Sequence, residues 1–485
     1  MSGRTVDKLK ATIEYLKKRG VDYADIRLVE TRHQGLAVRN GQVERCVAAE
    51  DRGFGIRVLH KGAWGFAASA VVAEAEMRRI ADRAIDVARG TLICRGAPVR
   101  LAPVEPAVDA YKTRVKKNPF RVPLGQRIEV LLEASAIMAR NPKIKVAEGS
   151  MDFIRTQKVF VSTEGEAIEQ DLWEVGAGIQ ATAVEGDEAQ TRSYPNSHGG
   201  QWSTGGYELV EAMDLAGHAE RVREEALALV AAPDCPARRT SVILDGPQMA
   251  LQIHESCGHP IELDRVLGFE LSFAGGSFLT LDTRGTLRYG SPRVHIVGDA
   301  TTPGGLGTFG YDDEGVKAQR FDIVRDGLFV NYLASRETAA TLGLPSNGCM
   351  RADGWNRIPL IRMVNINLEP GDAAFEDLVK DTDDGLYLSI NKSWSIDQLR
   401  LNFQFGCQWA QEIVGGKLGQ VYKNPIYTGI TPAFWGGCDA ICNRDHWTVW
   451  GVPNCGKGEP VQTARVGHGA APARFRNVQV GVGAP

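Results

Sequence analysis

Two histidines bracket a glutamate in the run His254-Glu255-Ser256-Cys257-Gly258-His259, and these residue types are those of a catalytic metal site. Neutral imidazoles bind Zn²⁺ at about 2.0 Å, and a catalytic site combines three protein ligands with a water whose pKa falls to about 7. A carboxylate beside that water can take its proton. Glu255 therefore reads as the general base of a hydrolase, with His254 and His259 as ligands. The histidines are five residues apart, however, whereas the HExxH helix of zinc peptidases spaces them by four. At about 100° per residue, i and i+5 lie about 140° apart on an α-helix, against about 40° for i and i+4. The motif thus requires a π-turn between its histidines, or helix termination at Gly258 ahead of Pro260.

A third ligand is still needed. His295, His446, His468, Cys407, Cys438, Cys442 and Cys455 all follow in the same half of the chain. Cys438, Cys442 and His446 would share one face of a helix, as a second metal cluster or, more ordinarily, as a face packed in the core. Gly451 to Lys457 spells GxxxxGK, but Gly458 stands where a phosphate loop needs Ser or Thr, and Glu459-Pro460 cannot open the required helix. That reading is rejected. Cys455 instead reads as an exposed thiol in a glycine-rich loop, able to present a thiolate.

The elements that must hold these residues are legible. A strand at 241 to 244 leads through Asp245-Gly246-Pro247, a turn with proline near the first helical position, into a helix over 248 to 257. Beyond Ser241, alternating runs such as PRVHIVGD and GLYLSINKSWSI predict a β-rich domain. The proline-broken AAPDCPARRT before it marks a boundary, giving domains over 1–235 and 236–485. In the first, Val6, Leu9, Ile13 and Leu16 predict a helix closed by Gly20. Alternating strands follow, with Asn40-Gly41 as a hairpin turn. Helices are expected over 71–90, from Leu124, and over 206–231, with a proline-rich arm at 95–123. Arg32, Gln34, Val38, Gly53, Gly55 and Ile56 recur as Arg155, Gln157, Val161, Gly176, Gly178 and Ile179 at a constant offset of 123, as a tandem duplication of a helix, meander and helix unit would produce. The expected fold class is α+β.

Composition removes several functions. With 56 Lys and Arg against 59 Asp and Glu, the net charge of -3 offers no global attraction to nucleic acid or anionic membrane. No run approaches the roughly 18 apolar residues of a membrane span, and the amino terminus lacks a signal-peptide pattern, so the cytoplasm is expected. Nine cysteines, an odd number without regular spacing, read as mostly reduced thiols. The long arm and Trp394, Trp409, Trp435 and Trp447 in loop-like settings are of the kind found at subunit interfaces.

The ordered set ADIRLVE, NGQVE, GFGIRV, HExxxH, DDEG at Asp312 to Gly315, SNG at Ser346 to Gly348 and the terminal CGKG resembles the TldD/PmbA metallopeptidases, also called modulators of DNA gyrase, over almost the whole chain. The resemblance implies His254, His259 and the distant Cys455 as ligands of Zn²⁺, with Glu255 catalytic. It implies the active type of subunit rather than the partner that lacks the motif. Ser256-Cys257-Gly258 and Pro260 depart from the family's pattern, which sets Cys257 beside the ligands as a rival thiol. The implied activity is hydrolysis of short or unfolded peptides in a sheltered chamber, formed by a homodimer or by a heterodimer with a motif-lacking paralogue. The other reading is a non-catalytic binding or modulator protein with a structural metal site. Such a protein would have no use for Glu255.

Overall fold

The computed structural model of the chain describes residues 3–94, 96–273 and 275–481. The first apolar stripe folds as α1 (Gly3–Lys18), with Leu9, Ile13 and Leu16 buried. The alternating segments follow as β1 (Tyr23–Arg39), β2 (Gln42–His60) and β3 (Ala63–Ser69), and then α2 (Glu74–Thr91). Asn40 and Gly41, at φ +48° and +74°, make the tight turn between β1 and β2. The unit then repeats as α3 (Leu124–Met138), β5 (Ile144–Ser162), β6 (Ala167–Glu185), β7 (Glu188–Tyr194), β8 (Gln201–Thr204), α4 (Tyr207–Met213) and α5 (Leu215–Ala231). Strand β1 pairs antiparallel with β5, and Arg32 lies directly opposite Arg155, its counterpart at the offset of 123. The two repeats therefore join about a local two-fold at that pair. The helix expected over 206–231 is divided at Asp214, whose φ of +47° ends α4 while its carboxylate accepts from Gly217 N–H to cap α5.

The strand order is β3-β2-β1-β5-β6-β4, where β4 is Val108–Lys112, with β7 and β8 also on β6, among the described residues. Strand β4 belongs to the proline-rich arm and runs parallel to β6. The arm thus lies along its own chain, where Val99 N–H and Ala102 N–H donate to the carbonyls of Gly62 and Arg336. The tryptophans divide. Trp435 is fully buried, whereas Trp394 is 46% exposed.

The second half is built on a seven-stranded sheet whose middle strands include β9 (Arg238–Leu244), parallel to Asp384–Ile396 and antiparallel to Ala473–Val480. Its large core is formed by residues such as Val242, Ile253, Leu386, Phe405, Tyr427 and Phe475.

The DDEG segment locks the two halves together. Arg57 of β2 donates to Asp25 at 2.9 Å and to Glu314 at 3.0 Å, Lys158 of β5 lies 3.2 Å from Asp313, and Arg27 of β1 lies 3.8 Å from it. Burial alone would raise the Asp313 carboxyl, but Lys158 and Arg27 outweigh it and hold it below its ordinary value. A depressed carboxyl contributes stability above its unfolded pKa and loses it as pH falls through the folded one, so this pairing is fully present at neutral pH. Asp313→Ala would leave Arg27 and Lys158 without their shared counter-charge. It is expected to cost about 3–5 kcal/mol in urea unfolding at pH 7, with a smaller difference from wild type in acid. The SNG turn is also structural, since Asn347 accepts from Ala334 N–H and donates to the Tyr332 carbonyl.

Candidate metal centre

Strand β9 ends at Leu244, and the next residue, Asp245, accepts from Gln248 N–H at 2.8 Å through its carboxylate and caps α6 (Gly246–Ile253), with Pro247 in the first turn. The helix then widens. Residues His254–Gly258 form a π-turn in which His259 N–H donates to the His254 carbonyl at 3.2 Å, five residues back. The angular conflict in the sequence is resolved by this one extra residue, which brings the two rings to a centroid distance of 4.8 Å. The turn is held on its far side. The Ser256 hydroxyl accepts from Gln252 and Trp435, both at 2.9 Å, and the Ser256 carbonyl accepts from the Tyr289 hydroxyl.

The strand Thr448–Lys457 brings the third group. Ligand atoms of His254, His259 and Cys455 all lie within 4.8 Å of one another, and all three residues are buried. The Cys455 Sγ to His259 Nε2 distance is 3.7 Å, close to the roughly 3.5 Å that tetrahedral zinc with N at about 2.0 Å and S at about 2.3 Å demands. Cys455 is not the exposed loop thiol of the sequence reading. It is 4% exposed and paired with Ala464, because Thr448–Lys457 and Gln462–Ala470 close into a hairpin with a register shift after Val452.

Hydrogen bonds select the tautomers. His468 Nδ1–H donates to the Ile366 carbonyl at 3.2 Å, so its Nε2 is the acceptor for His254 Nδ1–H at 2.8 Å. His254 is left with an Nε2 lone pair. His259 Nδ1–H donates to Glu262 Oε2 at 3.1 Å, leaving its Nε2 lone pair toward Cys455. Burial lowers the pKa of both imidazoles and keeps them neutral at pH 7, the form a metal needs. Burial pushes the Cys455 thiol up, but the charge that His259 carries when protonated, together with that of Arg362, outweighs it and brings the thiol below its ordinary value. Burial also opposes ionisation of Glu262, yet Lys457, His259 and Arg265 hold its carboxyl well below the ordinary range. Lys457, from the CGKG string, is fully buried. It reaches Asp264 Oδ1 at 2.7 Å, the Ile361 carbonyl at 2.8 Å and Glu262 Oε1 at 3.2 Å, which ties the Cys455 strand to the motif segment.

The three groups open onto a cavity of about 220 Å³ that Glu255 also lines. Its walls come from both halves of the chain: Leu251, Trp394, Arg400 and Asn454 from the second, and Asn196, Ser197 and His198 from the loop after β7. His198 sits at φ +56°, its ring edge-on to Trp394 at 5.3 Å, and burial lowers its pKa. That loop presses so closely on β6 that a Cβ at Gly178 would fall 2.4 Å from Gly200 Cα. Sequence reading missed His198, Arg400, Glu262 and Lys457, which reach the centre from four separate places. Only the fixed offset of Glu262 from His259 and the place of Lys457 in the CGKG string carried a signal.

The other candidate ligands go elsewhere. Cys438 and Cys442 do not share a helix face with His446, because Cys438–Ile441 is a strand on Ala473–Val480 and His446 accepts from Phe375 N–H. His295 pairs with Asp322 at 3.0 Å, and His468 supports His254 from behind. Cys257 faces the core, where burial pushes its thiol up to about 12, and Cys407 is buried as well. Among the described residues, no other group of three such side chains converges.

Two buried imidazoles and a buried thiol thus converge in a cleft that a carboxylate also lines, a donor set able to hold a metal ion. Family models agree in three stretches: PmbA/TldA metallopeptidase domain 1 at residues 24–88, the central domain at 117–230 and the C-terminal domain at 237–482. The chain belongs to the TldD/PmbA family of metallopeptidases. It is 31% identical to the metalloprotease MJ0996 of Methanocaldococcus jannaschii over 84% of this chain and 87% of that protein. It is 23% identical to a zinc metalloprotease TldD homolog of Saccharolobus solfataricus over 96% of this chain and 99% of that one. A Thermotoga maritima structure named for modulation of a DNA gyrase matches with a TM-score of 0.77 at 18% identity, covering 98% of this chain and 99% of that one. TldE of Thermococcus kodakarensis matches at 0.74 and 14%, covering 98% and 100%. These likenesses show a common α+β fold. No helix among the described residues is long and apolar enough to cross a membrane.

Proposed function

We propose that the chain is a zinc peptidase acting on short or unfolded peptides, with His254, His259 and Cys455 as ligands and Glu255 as general base. The convergence of the three ligand atoms within 4.8 Å carries this reading. The borderline and soft donor set suits Zn²⁺. Zinc, when bound, supplies a Lewis acid and a place where water becomes acidic. The protein's own residues do the rest. His468 and Glu262 orient the two imidazoles, and the buried walls limit competing water. Glu255 takes a proton from the attacking water on a carboxylate oxygen and hands it to the departing amine nitrogen. In this reading residues 236–485 form the peptidase domain, and residues 1–235 supply the loop at 196–198 that completes the cavity. A space of about 220 Å³ admits a side chain or two and not a folded surface, which favours extended substrates.

The test is cleavage of fluorogenic peptides by purified protein, with zinc measured per chain. Turnover that stops on chelation and returns with Zn²⁺ is expected, and turnover indifferent to chelation would sink the proposal. His468→Ala removes the acceptor that fixes the His254 tautomer, and a zinc titration should show affinity about 10–100-fold weaker. We further infer a cytoplasmic dimer that shelters the site, formed with a second copy or with a motif-lacking paralogue of the same fold. Sedimentation should then give about twice the 52.7 kDa of one chain. A monomer cleaving folded and unfolded proteins alike would refute the shelter.

A further inference from the structure

Arg400 lines the cavity together with His254, Glu255, His259 and Cys455, and its Nη1 stands 3.5 Å from Glu255 Oε2. The side chain is only 16% exposed. The chain delivers it from a braced turn. Arg400 sits at φ +63°, a conformation that residues other than glycine rarely adopt. Its N–H donates to the Asp397 carbonyl at 3.0 Å, and its own carbonyl accepts from the Thr431 hydroxyl at 2.9 Å. The Asp397 carboxylate accepts in turn from Leu401 N–H at 2.8 Å. The backbone is thereby fixed where the guanidinium enters the cleft.

The use of a cation beside the general base emerges when the charge is followed through the reaction. The water oxygen bonds to the carbonyl carbon, the π pair of the carbonyl moves onto its oxygen, and the water's proton goes to Glu255. One negative charge has left the carboxylate and appeared on the tetrahedral centre. A guanidinium carries five N–H donors in a rigid planar fork, so it can keep one on Glu255 while another meets the new oxyanion.

We propose that Arg400 is a catalytic residue of this site, a carrier that stays with the negative charge as it passes from Glu255 to the oxyanion of the tetrahedral intermediate. Its interaction is then stronger in the transition state than with bound substrate, which is the condition for accelerating the chemical step. On collapse the carbon–nitrogen bond breaks, its electron pair goes to nitrogen, and nitrogen takes the proton from Glu255. The carboxylate charge returns beside Arg400. This assignment rests on the peptidase reading above.

The test uses the full zinc-loaded chain and compares two ligands: a phosphinate peptide, which carries a tetrahedral anion at the scissile position, and the matching substrate peptide. Binding of both is measured by calorimetry on the Glu255→Gln background, where turnover is suppressed. Adding Arg400→Gln should weaken the phosphinate by about 100-fold and the substrate peptide by less than about threefold, with zinc content unchanged. On the wild-type background Arg400→Gln should lower kcat rather than raise KM. Arg400→Lys, which keeps charge without the fork, should recover part of it, and added guanidinium ion should partly restore Arg400→Ala. Equal weakening of both ligands would reduce Arg400 to ordinary substrate binding, and unchanged phosphinate affinity would reduce it to a holder of Glu255. Either result overturns the assignment while leaving the peptidase reading intact. Zinc-loaded wild type that neither cleaves peptides nor binds the phosphinate would overturn both.

Discussion

Glu255→Gln should lower kcat by about 10³-fold while the protein keeps its fold and its zinc. Glutamine nearly matches glutamate in shape, so the cavity wall and the π-turn are retained. Its amide cannot accept the proton of the attacking water at neutral pH or return one to the amine. Metal retention follows from the geometry, because Glu255 lies outside the group of three ligand atoms, which belong to His254, His259 and Cys455. KM should move little, since the substitution removes a function exercised only in the transition state. Peptide hydrolysis with elemental analysis on the same preparation checks both halves. Turnover within a few-fold of wild type would remove Glu255 from the mechanism, and loss of zinc would reassign it as a ligand.

Cys455→Ala should act on the metal before it acts on the chemistry. Zinc affinity is expected to fall by more than about 100-fold, because two imidazoles alone hold the ion poorly and removal of an outer partner alone costs about 10–100-fold. Cys455 is bound into its hairpin through the backbone, so the apo protein should still fold. Zinc stabilises the folded state by mass action, about 2.7 kcal/mol at a free concentration 100 times the dissociation constant. Excess zinc should therefore raise the Tm of wild type and leave that of Cys455→Ala nearly unmoved. Tight zinc in Cys455→Ala would show that another group completes the site.

The sequence by itself determined the α+β class and the break in helix geometry within the motif. The apolar stripe of α1 survives because it is a local choice between facing the core and facing water, whereas the alternation read in β2 does not, since Gln42–Arg52 is exposed throughout and Gly53–Leu59 is buried throughout. The spacing of His254 and His259 was enough to require a break in α geometry, since the angle between side chains on one helix depends on that helix alone. The helix expected over 206–231 failed at Asp214, where a single left-handed residue divides an otherwise helical pattern. Cys438, Cys442 and His446 show the same limit. Their spacing suits a helix face, but the ladder to Ala473–Val480 draws Cys438–Ile441 into a strand, and pairing with a distant segment has no signature in local periodicity.

Only the tertiary structure decided what completes the site. Cys455 lies 196 residues from His259, and its approach depends on a buried hairpin tied by Lys457 to Glu262 and Asp264. From the residues alone, seven histidines and cysteines were open as the third ligand, and only the family resemblance preferred Cys455. His468 was among those seven, and the fold places it behind His254 as the partner that sets its tautomer. Arg400 and His198 carry no motif at all. They matter because two separate loops bring them to one small cavity, and a charge acts over a few ångströms of space whatever the distance along the chain.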